Sequence, residues 1–341
     1  MALSQSTRLA LMKAQAQLTD AQKEAATGRY ADVGAGLGFR TGQTVSMRND
    51  YARLATIRDT NAVAETRLKV TQSVLDGLAD DAQSFMTALI GVRDSQNGPE
   101  VIVEEAKSRL AALISGMSTA IDGVHIFSGL NSDLAPLQKY FGPPEPASRQ
   151  SVANTFLATF GITQSDPGVA GISAADMQAF LDGPFKALTE EPAWSMNWSV
   201  ASSNNISSRI SAGEVVQTSA NANAAAIRQL VSAYVMVADL GTEQLSEGAF
   251  KAVLDTATRT AGSAIQEITT LRTHLGVAEA RISAANDRMS IQMDILSNHV
   301  VELEAVDRIE ASLRVTSLLT QIETSYALTA RLQQMSLINH L

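Results

Sequence analysis

The feature that most constrains this chain is a hydrophobic period of 3.5 residues, sustained without proline over long stretches of both halves. From Leu54, alternating steps of three and four reach Ile57, Asn61, Ala64, Leu68, Thr71, Leu75, Leu78, Ala82, Phe85, Leu89 and Val92, where only Asn61 and Thr71 are polar. Asp94-Ser95-Gln96-Asn97-Gly98 interrupts the series, and Pro99-Glu100 reads as the first turn of a new helix. That helix carries the stripe through Val103, Ala106, Leu110, Leu113, Met117, Ala120 and Val124. So short a break between two such helices predicts an antiparallel hairpin. In the second half, Ile227, Val231, Tyr234 and Ala238 mark a helix ending near Gly241. Phe250, Leu254, Ala257, Ala261, Ala264, Ile268, Leu271 and Leu275 then keep the heptad. Ala278, Ile282, Ala285, Met289, Gln292, Leu296, His299, Leu303 and Val306 extend it. A 3.5 period held this long specifies left-handed coiled-coil packing. The predicted fold class is mainly α, a long antiparallel coiled-coil bundle built from both chain ends. The polar seam residues Asn61, Thr71, Gln292 and His299 read as register-setting or hydrogen-bonded core positions.

Proline separates these arms from an insert. Apart from Pro99, every proline lies between Pro136 and Pro192, and both tryptophans, Trp194 and Trp198, fall beside that window. Residues 129–213 are therefore read as a small α+β surface module with its own aromatic core, entered and left at neighbouring points. Within it, Ser151 is expected to cap a helix bearing Val152, Phe156 and Phe160. Ser173 with Asp176 gives a capping-box start to a helix through Phe180 and Leu181. Trp194, Met196, Trp198 and Val200 alternate with polar residues as in a half-buried strand, and Ile206 to Thr218 is expected to return as a second strand.

Composition closes off most chemistry. There are 26 Lys and Arg against 35 Asp and Glu, a net charge of -9, which opposes nucleic-acid binding. Cysteine is absent, and the four histidines, His125, His274, His299 and His340, offer no i, i+4 pair for a metal. Gly34, Gly36 and Gly38 lack the following Gly of a dinucleotide loop, since Phe39 stands there, and no phosphate-loop Lys follows. Glu302 and Glu304 read as a solvated helix face. No enzyme, cofactor or metal site is expected. No run of about 18 apolar residues suits a membrane span, and the start of the chain has no secretory hydrophobic core, which argues against Sec-type export.

The two ends are different in kind. Leu11, Ala14, Leu18, Ala21 and Ala25 form a heptad stripe dominated by Ala, and burying two leucines cannot offset the cost of ordering its backbone. Near the other end Leu318, Leu319, Ile322, Tyr326, Leu328, Leu332, Met335, Leu337 and Ile338 spread around much of one helix, implying more than one neighbour. Residues 1–30 carry four basic and two acidic side chains, and 293–341 three basic and six acidic, so the ends can pair. Segments needing several partners at both ends fit a subunit of an open helical assembly. The expected partner interface is Leu11, Leu18, Leu318, Ile322, Tyr326, Leu328, Leu332, Met335, Leu337 and Ile338.

Four stretches carry a resemblance to bacterial flagellin-like proteins, and within them to the hook-associated protein 3 (hook–filament junction) family. These are TGRYADVGAGLGFRTG from Thr27, HIFSGLNSD from His125, NNISSRISAGEVVQTSANANAAAIRQLVSAYVMVADLG from Asn204, and LLTQIETSYALTARLQQMSLINHL from Leu318. The resemblance implies terminal helices, 1–40 and 305–341, forming an inner assembly domain. It implies a helical rod of 41–128 and 214–304, and the insert of 129–213 exposed. It further implies a structural, secreted motility protein of the bacterial flagellum, exported by the flagellar type III system. Its place would be extracellular, at the hook–filament junction. Its partners would be hook-associated protein 1, flagellin, copies of itself and a flagellar export chaperone. A filament flagellin of the same fold is the nearest alternative, and the sequence ALTARLQQMSLINHL favours the junction family over it. An intracellular coiled-coil scaffold is more distant, since it explains neither the Ala-rich ends nor the aromatic insert.

Overall fold

In the computed structural model, residues 2–93 and 98–338 are described, with side chains over 8–93 and 99–331. The helices are α1 (Ala2–Thr27), α2 (Val33–Leu37), α3 (Thr41–Val92) and α4 (Gly98–Met117). After the strands β1 (Ala120–Ile121) and β2 (Val124–His125) come α5 (Ala147–Phe160), α6 (Ala174–Phe180), α7 (Lys186–Leu188) and α8 (Ala193–Asn197). Strands β3 (Ser207–Ser211) and β4 (Glu214–Gln217) precede α9 (Ala225–Asp239), α10 (Glu247–Glu304) and α11 (Arg308–Ile338). Two compact units result, Arg58–Asn286 and the paired ends Met1–Ile57 with Asp287–Leu341.

The central unit, Arg58–Asn286, is organised by the heptad seams. Ala64, Leu68, Leu75, Leu78, Ala82, Phe85 and Leu89 of α3 are buried, as are Ala106, Leu110, Leu113 and Met117 of α4 and Ala257, Ala264, Ile268, Leu275 and Ile282 of α10. Polar pairs fix the direction of α3 against α10. Asn61 donates to Asn286 Oδ1 (2.7 Å), Gln72 Nε2 to the Arg272 carbonyl (2.9 Å), and Arg93 to Asp255 (2.8 and 2.9 Å). One number rises as the other falls, so the helices are antiparallel. Asn61 is fully buried and also donates to the Ile210 carbonyl (3.0 Å), and Thr71 bonds back to the Arg67 carbonyl (2.8 Å). Both are the hydrogen-bonded seam residues expected. The loop read at Asp94–Asn97 lies outside the described residues, while α4 begins at Gly98 with Pro99 in its first turn.

Helix α9 is the centre of this unit: residues 231–238 are all buried, and α4 packs against it. Its Tyr234 stands edge-on to Phe85 and donates to Asp81 (2.8 Å), which also holds Arg109 of α4. Burial and Asp81 push the Tyr234 phenol far above its ordinary range.

Several expectations need correction. The stripe was expected to stay helical to Val124, but α4 ends at Met117 and β1 pairs with β2. Asp122 and Gly123 both have positive φ (52° and 79°), the two left-handed positions of a tight hairpin turn, and they override the heptad. Trp194 to Val200 is not a strand. Residues 193–197 are helical, because one helical turn brings Trp194 over Trp198 in a parallel stack (5.6 Å), with Tyr140 stacked on its other side (5.4 Å). The return segment is instead a hairpin of β3 with β4. Ser151 lies inside α5, whose N-cap is Pro146, whereas Ser173 does cap α6 through the Asp176 amide (3.1 Å).

The insert does begin and end at neighbouring points, since Ser128 bridges Asn221 and the Ala222 amide donates to the Phe127 carbonyl (2.9 Å). It does not have a core of its own. Phe156, Phe180, Phe185 and Trp194 belong to the same cluster as the buried residues of α9 and α10. Ser246 bonds the Ile172 carbonyl (3.0 Å), Tyr140 donates to Asp239 (2.9 Å), and Trp194 Nε1 donates to Asn223 (2.9 Å).

Candidate assembly interface

The unit formed by the two ends is built around one heptad pair. On α1, Ala14 and Ala21 are buried with Leu11, Leu18 and Ala25 half-buried. On α11, Ala311 and Ile322 are buried with Val315, Leu318, Ser325 and Thr329 half-buried. Both sets step by alternate threes and fours, and α1 packs on α11 along them. A second, small core joins Leu54 of α3 to Met289 and Met293 of α10.

Between these cores the backbone is clasped. Gly28 ends α1 in the left-handed region (φ 71°), its amide bonded to the Glu24 carbonyl (2.7 Å). Any Cβ there would come within 2.6 Å of Arg308 Nε. The chain then runs antiparallel to the break between α10 and α11: the Tyr30 amide donates to the Glu304 carbonyl (3.1 Å) and the Val306 amide to the Gly28 carbonyl (2.9 Å). Arg308 donates to the Thr27 carbonyl (3.3 Å) while Asp307 caps α11 through the Ile309 amide (2.8 Å).

Two carboxylates lock this clasp. Glu304, read from sequence as a solvated face, is 1% exposed and accepts two hydrogen bonds from Arg48 Nη2 (2.6 and 2.8 Å), with Arg29 at 3.8 Å. Glu24 accepts from the Ala31 amide (3.2 Å) and from Arg314 (3.2 Å). Their cationic partners come from the other end of the chain, which is why no local pattern revealed them. Gln292 and His299, expected in the seam, are exposed. The covered steps run from buried Met289 to buried Met293, then to half-buried Leu296 and Val300, so one step of four replaces a step of three and turns both polar residues outward. Val306 lies beyond the end of α10.

The structure sorts the expected interface residues. Leu11, Leu18, Leu318 and Ile322 are on the seam within the chain. Tyr326 accepts a hydrogen bond from Gln15 (3.0 Å), yet the residue is 51% exposed, and Leu328 is 55% exposed. The side chains of Leu332, Met335, Leu337 and Ile338 lie outside the described residues. Exposed apolar residues that the sequence reading did not single out include Leu9, Met12, Phe39, Ile309 and Leu313. Ile309 and Leu313 stand four apart and share one helix face. Off-seam spacing is the signal that could have found them.

Among the described residues no group of His, Asp or Glu is arranged to hold a metal, and no helix is long and apolar enough to cross a membrane. The fold is shared with a Vibrio parahaemolyticus protein provisionally assigned as flagellar hook-associated. The TM-score is 0.54 at 11% identity, covering 78% of this chain and 97% of the other. No curated protein matches the chain. Residues 1–132 match the family model for the bacterial flagellin N-terminal helical region, and residues 258–341 match that for the bacterial flagellin C-terminal helical region. These matches cover both arms of the clasp and most of the chain, and so the chain belongs to the flagellin-like family: a structural, self-assembling component of the extracellular flagellum, not an enzyme.

Proposed function

We propose that this chain is the hook–filament junction subunit, the hook-associated protein 3 of its flagellum, set between the hook-associated protein 1 layer and the flagellin filament. The observation that carries the reading is the surplus of apolar surface on the paired ends. Helices α1 and α11 satisfy one seam internally, yet Leu9, Met12, Ile309, Leu313, Tyr326 and Leu328 remain exposed, which suits contacts to neighbouring copies and to unlike subunits above and below. The likeness to a protein assigned as hook-associated, and the C-terminal sequence from Leu318, favour the junction over the filament. In this reading the ends, 1–40 and 305–341, form the inner layer, 41–128 and 214–304 a rod, and 129–213 an outward-facing domain. The subunit leaves through the flagellar type III channel, escorted until then by an export chaperone that covers the C-terminal helix in a groove read at i, i+3, i+4 spacing.

Immunogold labelling of intact flagella with an antibody to the insert tests this. Label confined to a narrow band at the hook end of the filament is expected, and deletion of the gene should leave hooks intact with flagellin monomer in the medium. Label along the whole filament would assign the chain as a filament flagellin instead.

A further inference from the structure

We infer that the central unit holds a binding site for a small oxyanion, a carboxylate or phosphate compound, between α9, α10 and the turn following α6. A cavity of about 310 Å³ opens there, which at ~30 Å³ per water is room for a molecule the size of citrate. Its walls are polar at helical spacing. Arg228, Gln229 and Ser232 share one face of α9, a helix otherwise almost wholly apolar, and Arg259, Thr260 and Ser263 share one face of α10.

The hydrogen-bonding capacity of these residues is left open. Arg228 Nε and Gln229 Oε1 are buried and have no partner among the described residues. Ser232 is 4% exposed, and no hydrogen bond of its side chain is found among the described residues. Buried polar groups are nearly always paired; these two atoms are covered in the present rotamers and reach a ligand by a turn of their side chains toward the cavity. The charges say what kind of thing. Among the described residues neither arginine is in a salt bridge: Arg228 donates to the Thr189 carbonyl (3.4 Å), and Arg259 to the Asp255 carbonyl (3.4 Å) and Thr256 (3.1 Å), with the Asp255 carboxylate, bound by Arg93, near enough to feel its charge. Of the acidic residues on the rim, Glu190 is paired with Lys186 (3.7 Å), and Asp182 accepts from the Gln178 amide (2.9 Å) and keeps its charge against the two arginines. Two guanidinium groups without an ion pair among the described residues line the cavity together with the hydroxyls of Ser232, Thr260 and Ser263, a set of donors that matches a planar or tetrahedral oxyanion.

Calorimetric titration of the full-length monomer with citrate and, separately, inorganic phosphate tests the site. Saturable binding of one equivalent of either is expected, and the one preferred identifies the ligand as carboxylate or phosphate. Arg259→Gln, on the exposed rim and safe for folding, should weaken it about tenfold or more, as losing a charged hydrogen bond does; Ser232→Ala should weaken it less. Arg281→Gln, which removes a surface pair with Glu214 elsewhere, should leave it unchanged. No saturable binding of either probe, or equal weakening by Arg281→Gln, would overturn the assignment.

Discussion

The central unit and the unit made by the chain ends use the same heptad grammar with opposite results. In Arg58–Asn286 the seams carry Leu, Phe, Ile and Met, and one continuous cluster runs from α3 through α9 into the insert. In the unit of the two ends, the buried apolar side chains among the described residues are Ala14, Ala21, Leu54, Met289, Met293, Ala311 and Ile322. Larger apolar residues such as Leu9, Ile309 and Leu313 point outward instead. Periodicity alone therefore specifies that two helices pair; the size of the residues on the seam decides whether the pair is complete. The ends are held by a clasp of hydrogen bonds and two carboxylates where the centre is held by packing.

The largest effect that could break this contrast comes from matched truncations. Phe85→Ala should cost about 3–5 kcal/mol in urea unfolding of the monomer, because it empties space beneath Tyr234. Leu313→Ala, exposed on α11, should move that transition by only about 0.5 kcal/mol, yet prevent polymerisation. Equal losses from both would make the ends as much a folding core as the centre.

Asn61→Ala sharpens the role of the buried polar seam. It leaves Asn286 Oδ1 and the Ile210 carbonyl without their shared donor, a loss of about 2 kcal/mol measured by the same unfolding. A neutral result would mean that apolar packing alone fixes the seam. Glu304→Gln probes the clasp. Since Arg48 is half exposed and solvent screens the pair, about 1 kcal/mol is expected, read as faster amide exchange at Tyr30 and Val306 with the central unit unmoved. Spread of that exchange into α9 would sink the idea of a local clasp.

The smallest expected effect is one of pH. Burial, the largest influence, holds the Asp239 carboxyl above the ordinary carboxylate range although Arg149 and Tyr140 bind it. A raised folded value gives a contribution that is fully present below the unfolded value and lost as pH rises through the folded one. Asp239→Asn should therefore flatten a downward slope in central-unit stability that begins in the ordinary carboxylate range and ends where the folded carboxyl, held above that range, titrates. An unchanged pH profile would contradict that sign.

What was legible in the sequence follows from the range of the interactions involved. The seams of α3, α4 and the first half of α10 were readable because each turn repeats the same signal. The step from Met289 to Met293 was not, since Gln292 and His299 fit the heptad by spacing and fail it only by polarity. Trp194 and Trp198 alternate like a strand, but ring stacking required a helical turn, a tertiary demand that overrides a four-residue pattern. Glu304 was misread because its cation, Arg48, lies at the far end of the sequence. The insert reads as separate in sequence because its aromatics are contiguous there, while the helix that completes their core, α9, follows later. The polar faces of α9 and α10 were hidden inside strongly apolar and heptad-rich segments.

The central claim is that the ends of the chain are completed by other molecules. Amide exchange compared between proven monomer and assembled flagellar material tests it most directly. Residues 8–27 and 308–331 should exchange rapidly in the monomer and slowly in the assembly, while 61–92 and 225–282 stay protected in both. Strong protection of the ends in the free monomer would show that α1 and α11 need no partner, and would contradict the account.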